Sequence, residues 1–490
     1  MMRLSPHVPI HPDETLHSWV ARLAAVHTGL EPSRILDDLG LDRTRLNRGD
    51  EDALAILSDA TGADREALRD AAIAVRLRNV VFRGEDFAMA SLSPRVERAC
   101  PACLAEDGGR QDLRHRLTWC FQAVRWCLRH GTPLHATTGG PSHDLRSVDV
   151  GDPLDIAATR SAAPAHATWT CERVGGACDP NAWLAGHTVD QVLKASEMLG
   201  IVTMFGHGAR SRSLDEASRD EATEHGFLLY RDDPAAITVA LDDIRAASTA
   251  TAVQAGPLAM YGGLYEWLDR RANHLDPGPI RDLLRDHIVE HSAIAPGETV
   301  LGRVVERRMS HTIVSLSEAT GVERRRLGRL LVRLGHVPPG ASDADTGRLV
   351  FPAERFERFC ADLGDAVPLH DVPEYVSATR HQVEGLYAAR ILEPLVPPIG
   401  PGDVRYVVFA RRHLDAVLDR IAGLPVMEDV NPDEWGSVPE ACRRGAGPMT
   451  PLFGRVLCGE IPAARLAGRP GFSRVVVAFA DVIEGRARVA

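Results

Sequence analysis

Apolar positions along the first part of the chain recur at helical intervals. In "HPDETLHSWVARLAAVHTG" (11–29), Leu16, Trp19, Val20, Leu23 and Val26 fall on one helix face. Asp13 is placed to cap that helix, Glu14 lies in a first turn whose dipole favours an acid, and Gly29 suits a left-handed stop. "EDALAILSDATGADREALRDAAI" (51–73) predicts two helices, one ending at Thr61-Gly62 and the next starting near Asp64. They pack through Leu54, Leu57, Leu68 and Ile73. The polar stretch 206–225 predicts an exposed loop, and residues 226–300 predict helices.

The last third of the chain repeats one pattern. "VSLSEATGVERRRLGRLLVRLG" (314–335) predicts a short helix over Leu316–Thr320, a turn at Gly321 and a second helix over about Glu323–Leu334. Leu327, Leu330, Leu331 and Leu334 face inward. Arg324, Arg325, Arg326, Arg329 and Arg333 lie largely outward. In a helix-turn-helix the second helix enters the major groove, and arginine both reads guanine and grips phosphate. "TGRLVFPAERFERFCADL" then adds a strand-like run and a closing helix. The order recurs about 56 residues on, at 370–395 with 405–421, where Arg380, His381 and Gln382 are candidate groove contacts. A third copy starts at "GSVPEACRRG" (436–445) and runs through "SRVVVAFADVIEG" (473–485), repeating Val-Pro-Glu outright. Such repetition signals a duplicated module rather than one large core.

A chain of 490 residues exceeds one core, so several domains are expected. The net charge of −11 argues against a coat of nucleic acid, so any DNA contact is local. Positive charge gathers in two places. Residues 76–135 hold 10 Arg against 6 acidic residues, and residues 301–336 hold 8 against 3. The second copy (6 against 7 over 371–421) and the third (8 against 6 over 432–490) are nearly balanced, which leaves the first as the strongest reader. Lys194 is the only lysine and follows no glycine loop, which excludes a phosphate-binding P-loop. No apolar run approaches the ~18 residues of a membrane span, and the start lacks a signal-peptide core. A cytoplasmic, nucleoid-associated protein with nine reduced cysteines is expected.

Cys100-x2-Cys103 and Cys127-x2-His130 each place two donors around a tight turn, and together they suit a closed tetrahedral Zn2+. The interval 104–126 leaves room for a short hairpin or helix. A disulfide does not suit a reducing cytosol. Catalytic zinc needs an open position, and here four protein donors fill the set with no H-E-x-x-H nearby. The zinc is therefore read as structural, and no catalytic residue is assigned. His115 and Cys120 could compete as donors, though Cys120 sits in an apolar stretch and reads as core. A second group, His166, Cys171, Cys178 and His187, matches no compact knuckle.

Three features in order, "PDETLHSWVARLA" (12–24), the helical pair after it, and "CPAC…CLRHGTPL" (100–134), resemble the TniQ family of transposition proteins, which includes TnsD-like target selectors. The resemblance implies zinc ligation by Cys100, Cys103, Cys127 and His130. It also implies a non-enzymatic adaptor that selects or marks double-stranded target DNA for an AAA+ transposition ATPase and a transposase. A guide-RNA effector complex and a second copy of the chain are further candidate partners, and no membrane is involved. The alternative is a zinc-containing helix-turn-helix transcriptional regulator. The expected architecture is mainly α and multi-domain: a zinc-stapled helical amino-terminal module, then tandem winged-helix-like helix-turn-helix repeats with short β-hairpins. Expected boundaries are a TniQ-like module at 1–135, a degenerate second knuckle at 136–200, a helical connector at 201–300, and repeats at 301–365, 366–425 and 426–490.

Overall fold

The computed structural model describes residues 3–140, 142–150, 162–179, 181–249, 256–270, 275–396 and 407–483. The parts of the second and third repeats at 405–406 and 484–485 lie outside these. The described residues are mainly α-helical, with strands of two to four residues. No helix among them is long and apolar enough to cross a membrane. The chain divides into one unit of residues 1–288 with 299–303, and another of 289–298 with 304–490.

In the first unit, the helix Leu16–His27 buries Leu16, Trp19, Val20 and Leu23 against Leu36, Leu54, Leu57 and Leu68. Its cap is Thr15, whose hydroxyl accepts from Ser18 N, rather than Asp13. Starting the helix two residues later leaves Glu14 outside its first turn, free to turn into the core. Val26 lies past the buried face and is 43 % exposed. Gly29 takes φ 68° just beyond the end, as its freedom allows. The helical pair is present as Glu51–Thr61 and Arg65–Asp70, with Gly62 left-handed between them and Asp64 capping the second. Ile73 belongs instead to a strand. Strands Ile73–Val75, Asn79–Phe82 and Glu85–Ala88 form an antiparallel sheet, and Val80, Phe82 and Phe87 pack on Leu117, Phe121 and Val124.

The polar stretch 206–225 is not a loop throughout. A helix, Glu216–Tyr230, starts inside it at an Asp215 cap. Glu216 and Glu221 face solvent, while Ala222 and Gly226 press against Ser196 and Gly200 of the helix Val189–Phe205. A β-carbon on Gly200 would overlap the Ala222 carbonyl oxygen, and one on Gly226 would overlap that of Ser196. Small residues let the two backbones approach closely, a signal that hydropathy does not carry.

The second unit states one plan three times. A strand leads into two helices, a second strand pairs antiparallel with the first, and a helix follows at once. In the first copy the strands are Ser310–His311 and Phe351–Pro352, the inner helices Ile313–Thr320 and Arg324–Arg333, the closing helix Ala353–Gly364. A short helix, Asp343–Arg348, is added before the second strand. In the second copy they are Val367–Pro368 and Val408–Phe409, Val372–Tyr375 and Arg380–Ala388, then Arg411–Ala422. In the third they are Trp435–Ser437 and Val475–Ala478, Val438–Ala441 and Met449–Leu457, then Phe479–Ile483. The inner turn carries a positive φ each time, at Gly321 (68°), Ser377 (50°) and Gly445 (106°). The first copy has its own core around Leu316, Leu327, Leu331 and Phe356. The second and third share one, through Val383, Leu386, Phe409, Phe453 and Val477, while Leu395 and Val408 of the second also pack on the core of the first.

Gly226→Val is expected to destabilise the first unit by at least about 2 kcal/mol, read as a lowered denaturant midpoint. Gly208→Ala, where an added β-carbon meets open space, should stay within about 0.5 kcal/mol of the parent.

Candidate metal centre and the helix docked to it

Cys100 caps the N-terminus of the helix Pro101–Asp107, which puts Cys103 in its first turn. Cys127 ends the strand Trp126–Cys127, and His130 sits in the turn leading to the paired strand Thr132–Pro133. The two elements bring three sulfurs and one imidazole nitrogen within 4.8 Å of one another. Cys103 Sγ is 3.6 Å from Cys127 Sγ, and His130 Nδ1 lies 3.3–3.5 Å from all three sulfurs. A tetrahedral ion with legs of ~2.3 Å to sulfur and ~2.0 Å to nitrogen needs edges of roughly 3.8 and 3.5 Å. The donor set therefore fits a metal ion. All three cysteines are buried.

The thiols also bear on one another electrically. Hydrogen bonds from Cys103 and Cys127 favour the Cys100 thiolate, while donating to it holds the protons on Cys103 and, on balance, on Cys127. Three thiolates in this space require a cation among them. The other ring nitrogen of His130 is 3.0 Å from Glu106 Oε1, the carboxylate contact that fixes the tautomer of a ligating histidine. Glu106 escaped sequence reading, although its place one helical turn after Cys103 was available as a signal.

His115 and Cys120 stand apart from this cluster. His115 is fully buried, and burial first, then the neighbouring His143 and Arg116, hold its imidazole down to about 3. Cys120 is part of the apolar core with Leu117 and Phe121, where burial pushes its thiol up. The second cysteine–histidine group does not converge among the described residues. His166 lies between Glu224 Oε2 (2.7 Å) and the Ala123 carbonyl (3.1 Å), Cys178 is exposed, and His187 Nδ1 donates to Trp183 O at 2.6 Å. Burial pushes the Cys171 thiol up to about 12.

The helix Leu16–His27 docks onto the segment between the knuckles through buried polar contacts. Thr15 N donates to His115 O (3.0 Å), Leu117 N to Asp13 O (2.7 Å), and His115 N to Ser18 Oγ (2.9 Å). Glu14, with no exposure, accepts from Ser18 Oγ (2.9 Å), Arg22 Nε (2.9 Å) and Arg22 Nη2 (2.8 Å). Arg22 Nη2 also reaches Pro9 O, and Trp19 Nε1 donates to Val8 O. From the other side, the Asp107 carboxylate at the end of the knuckle helix accepts from Arg114 and Arg116. A continuous path thus runs from the metal donors through Asp107 to 114–117 and on to Glu14, Ser18 and Arg22.

In the second unit, Glu323 accepts from Arg325 N and Arg326 N and so caps the helix Arg324–Arg333. Leu327 and Leu331 are buried, and Leu330 and Leu334 are half-buried. Arg324, Arg325, Arg329 and Arg333 are exposed around a recess of about 300 Å³ floored by Ile313, Gly328 and Val332; Arg326 is half-buried outside it. In the second copy Arg380 is exposed and 3.1 Å from Glu384, and His381 is exposed. Gln382 is instead turned back, its Oε1 accepting from Thr379 N at 2.7 Å in a capping box. A residue at the third helical position behind a threonine serves the cap before it serves a groove.

The helix, the sheet and the four donors together define a small helical domain built on a pair of metal knuckles. Residues 5–134 match the family model described as TniQ, so this part of the chain is similar to a TniQ domain. No curated protein matches the chain.

Removing one partner of the buried pair should show its structural weight. Arg22→Met leaves Glu14 buried and unpaired and is expected to cost about 3–5 kcal/mol in chemical denaturation. Changing Glu14→Gln together with Arg22→Met should recover part of that stability.

Proposed function

We propose that this protein is a zinc-containing adaptor of DNA transposition. Its TniQ domain engages a transposition AAA+ ATPase, and through it a transposase, while the second unit holds double-stranded target DNA. The observation that carries the first half is the TniQ match across 5–134. Zinc is the ion that best suits three cysteines and one histidine in a closed set, and Cys100, Cys103, Cys127 and His130 are its proposed ligands. With no open position, the ion stabilises shape and performs no bond cleavage.

The second half rests on the first helix-turn-helix copy. Its capped second helix turns Leu327 and Leu331 inward and leaves Arg324, Arg325, Arg329 and Arg333 exposed, the disposition a groove-reading helix needs. Arg326 extends the row. Arg380 and His381 are proposed as auxiliary contacts from the second copy. The third copy, whose inner helix Met449–Leu457 carries one arginine, Arg455, is assigned to packing.

The test is target-DNA binding by the full chain. Replacing Arg324, Arg325 and Arg326 with alanine is expected to weaken it and to flatten the log–log salt dependence by about 0.9 for every phosphate no longer neutralised. Unchanged affinity and slope would remove this helix from the DNA interface.

A further inference from the structure

The TniQ domain carries a second, separate patch of positive charge. A cleft of about 510 Å³ opens between the α-helical bundle and the three-stranded sheet. Thr44, Asn47 and Arg48 line one side; Val75, Val80, Met89 and Leu92 supply apolar wall; Arg95 and His143 complete it. The strands contributing Val75 and Val80 pair at those residues, and the turn joining them is Arg76-Leu77-Arg78-Asn79, closed by a hydrogen bond from Arg76 N to Asn79 O (2.9 Å). Leu77 at its tip is 93 % exposed between two exposed arginines.

The arginines here differ from their neighbours. Arg45 is held by Asp50, and Arg65 and Arg69 by Glu51. Arg43, Arg48, Arg76, Arg78 and Arg95 are all exposed, and none has a carboxylate partner among the described residues. Carboxylates nearby are otherwise engaged: Glu97, which lines the cleft, accepts from Gln122 Nε2 at 2.6 Å, and Asp86 accepts from Asn79. His143 stacks on His17 with centroids 4.6 Å apart and planes 26° from parallel. Burial, then Arg43 and Arg95, lower its imidazole to about 4, so it stays neutral beside them.

We propose that this face binds the backbone of duplex DNA without regard to sequence, Arg48, Arg76, Arg78 and Arg95 meeting phosphates and Leu77 at the hairpin tip entering the minor groove. Arg48 and Arg95 on the cleft, with Arg76 and Arg78 on the hairpin that adjoins it, call for an extended polyanion. An apolar side chain flanked by arginines on a narrow hairpin is the form of a minor-groove wedge. A β-adding acidic peptide is disfavoured, because Gly49 lies against Ala74 on the sheet's outer strand. This hold is independent of the helix-turn-helix copies and gives the TniQ domain its own grip on DNA.

The test uses the full chain carrying Arg324→Ala, Arg325→Ala and Arg326→Ala, so that binding through the other proposed surface is suppressed. Fluorescence anisotropy with a random-sequence duplex should detect residual binding. Adding Arg48→Gln, Arg76→Gln, Arg78→Gln and Arg95→Gln should weaken it at least about tenfold and reduce the salt slope by about 0.9 for each phosphate set free. Leu77→Ser alone should weaken it with the slope unchanged. Melting temperatures should hold throughout, since these side chains are exposed. Absence of residual binding in the triple variant, or residual binding indifferent to the glutamines, would overturn the proposal and leave the reading of the second unit standing. So would tighter binding of single-stranded RNA, or equal competition by polyglutamate at matched charge.

Discussion

Three cysteine sulfurs and a histidine nitrogen cannot share so small a space as charged ligands unless a cation sits among them. That constraint organises the front of the molecule. Without an ion, one thiolate is favoured at the expense of two retained protons; with one, all three sulfurs can be anionic and the set closes. Because the donors come from a helix and a strand turn 24 residues apart in their closest pair, closing the set also fixes the path of the chain between them.

That path is where the family signature finds its purpose. Glu14, Ser18, Trp19 and Arg22 are all buried and bound within the domain. Their partners are the backbone at 115–117 and the loop at 8–9. Asp107 grips Arg114 and Arg116 from the knuckle helix. The helix Leu16–His27 and the candidate metal site are thus two ends of one buried polar path.

Much of this was legible in the chain. Helical spacing located the helix Leu16–His27, the pair at 51–70 and the helix Arg324–Arg333 to within a few residues, because each has an apolar stripe and a capping residue. Paired x2 spacings located the cluster of Cys100, Cys103, Cys127 and His130, which could hold a metal ion. Two of the errors share one physical origin, competition between nearby polar side chains for the same backbone groups. Asp13 and Thr15 can both cap, and the choice of Thr15 is what releases Glu14 inward. Gln382 can face a groove or the Thr379 amide, and the amide is closer. The first turns of the helix Glu216–Tyr230 were hidden because they pack through small residues at a close crossing, the large buried residues Phe227 and Tyr230 coming only at its end. The sharing of one core by the second and third copies depends on packing between segments that no local pattern encodes.

The most direct measurement of the central claim is X-ray absorption on the purified full chain at the zinc edge. The account predicts one zinc per chain with a first shell of three sulfurs near ~2.3 Å and one nitrogen near ~2.0 Å, reduced to two sulfurs by Cys103→Ser. A shell of oxygen and nitrogen alone, or a protein that folds fully with no metal, would contradict it.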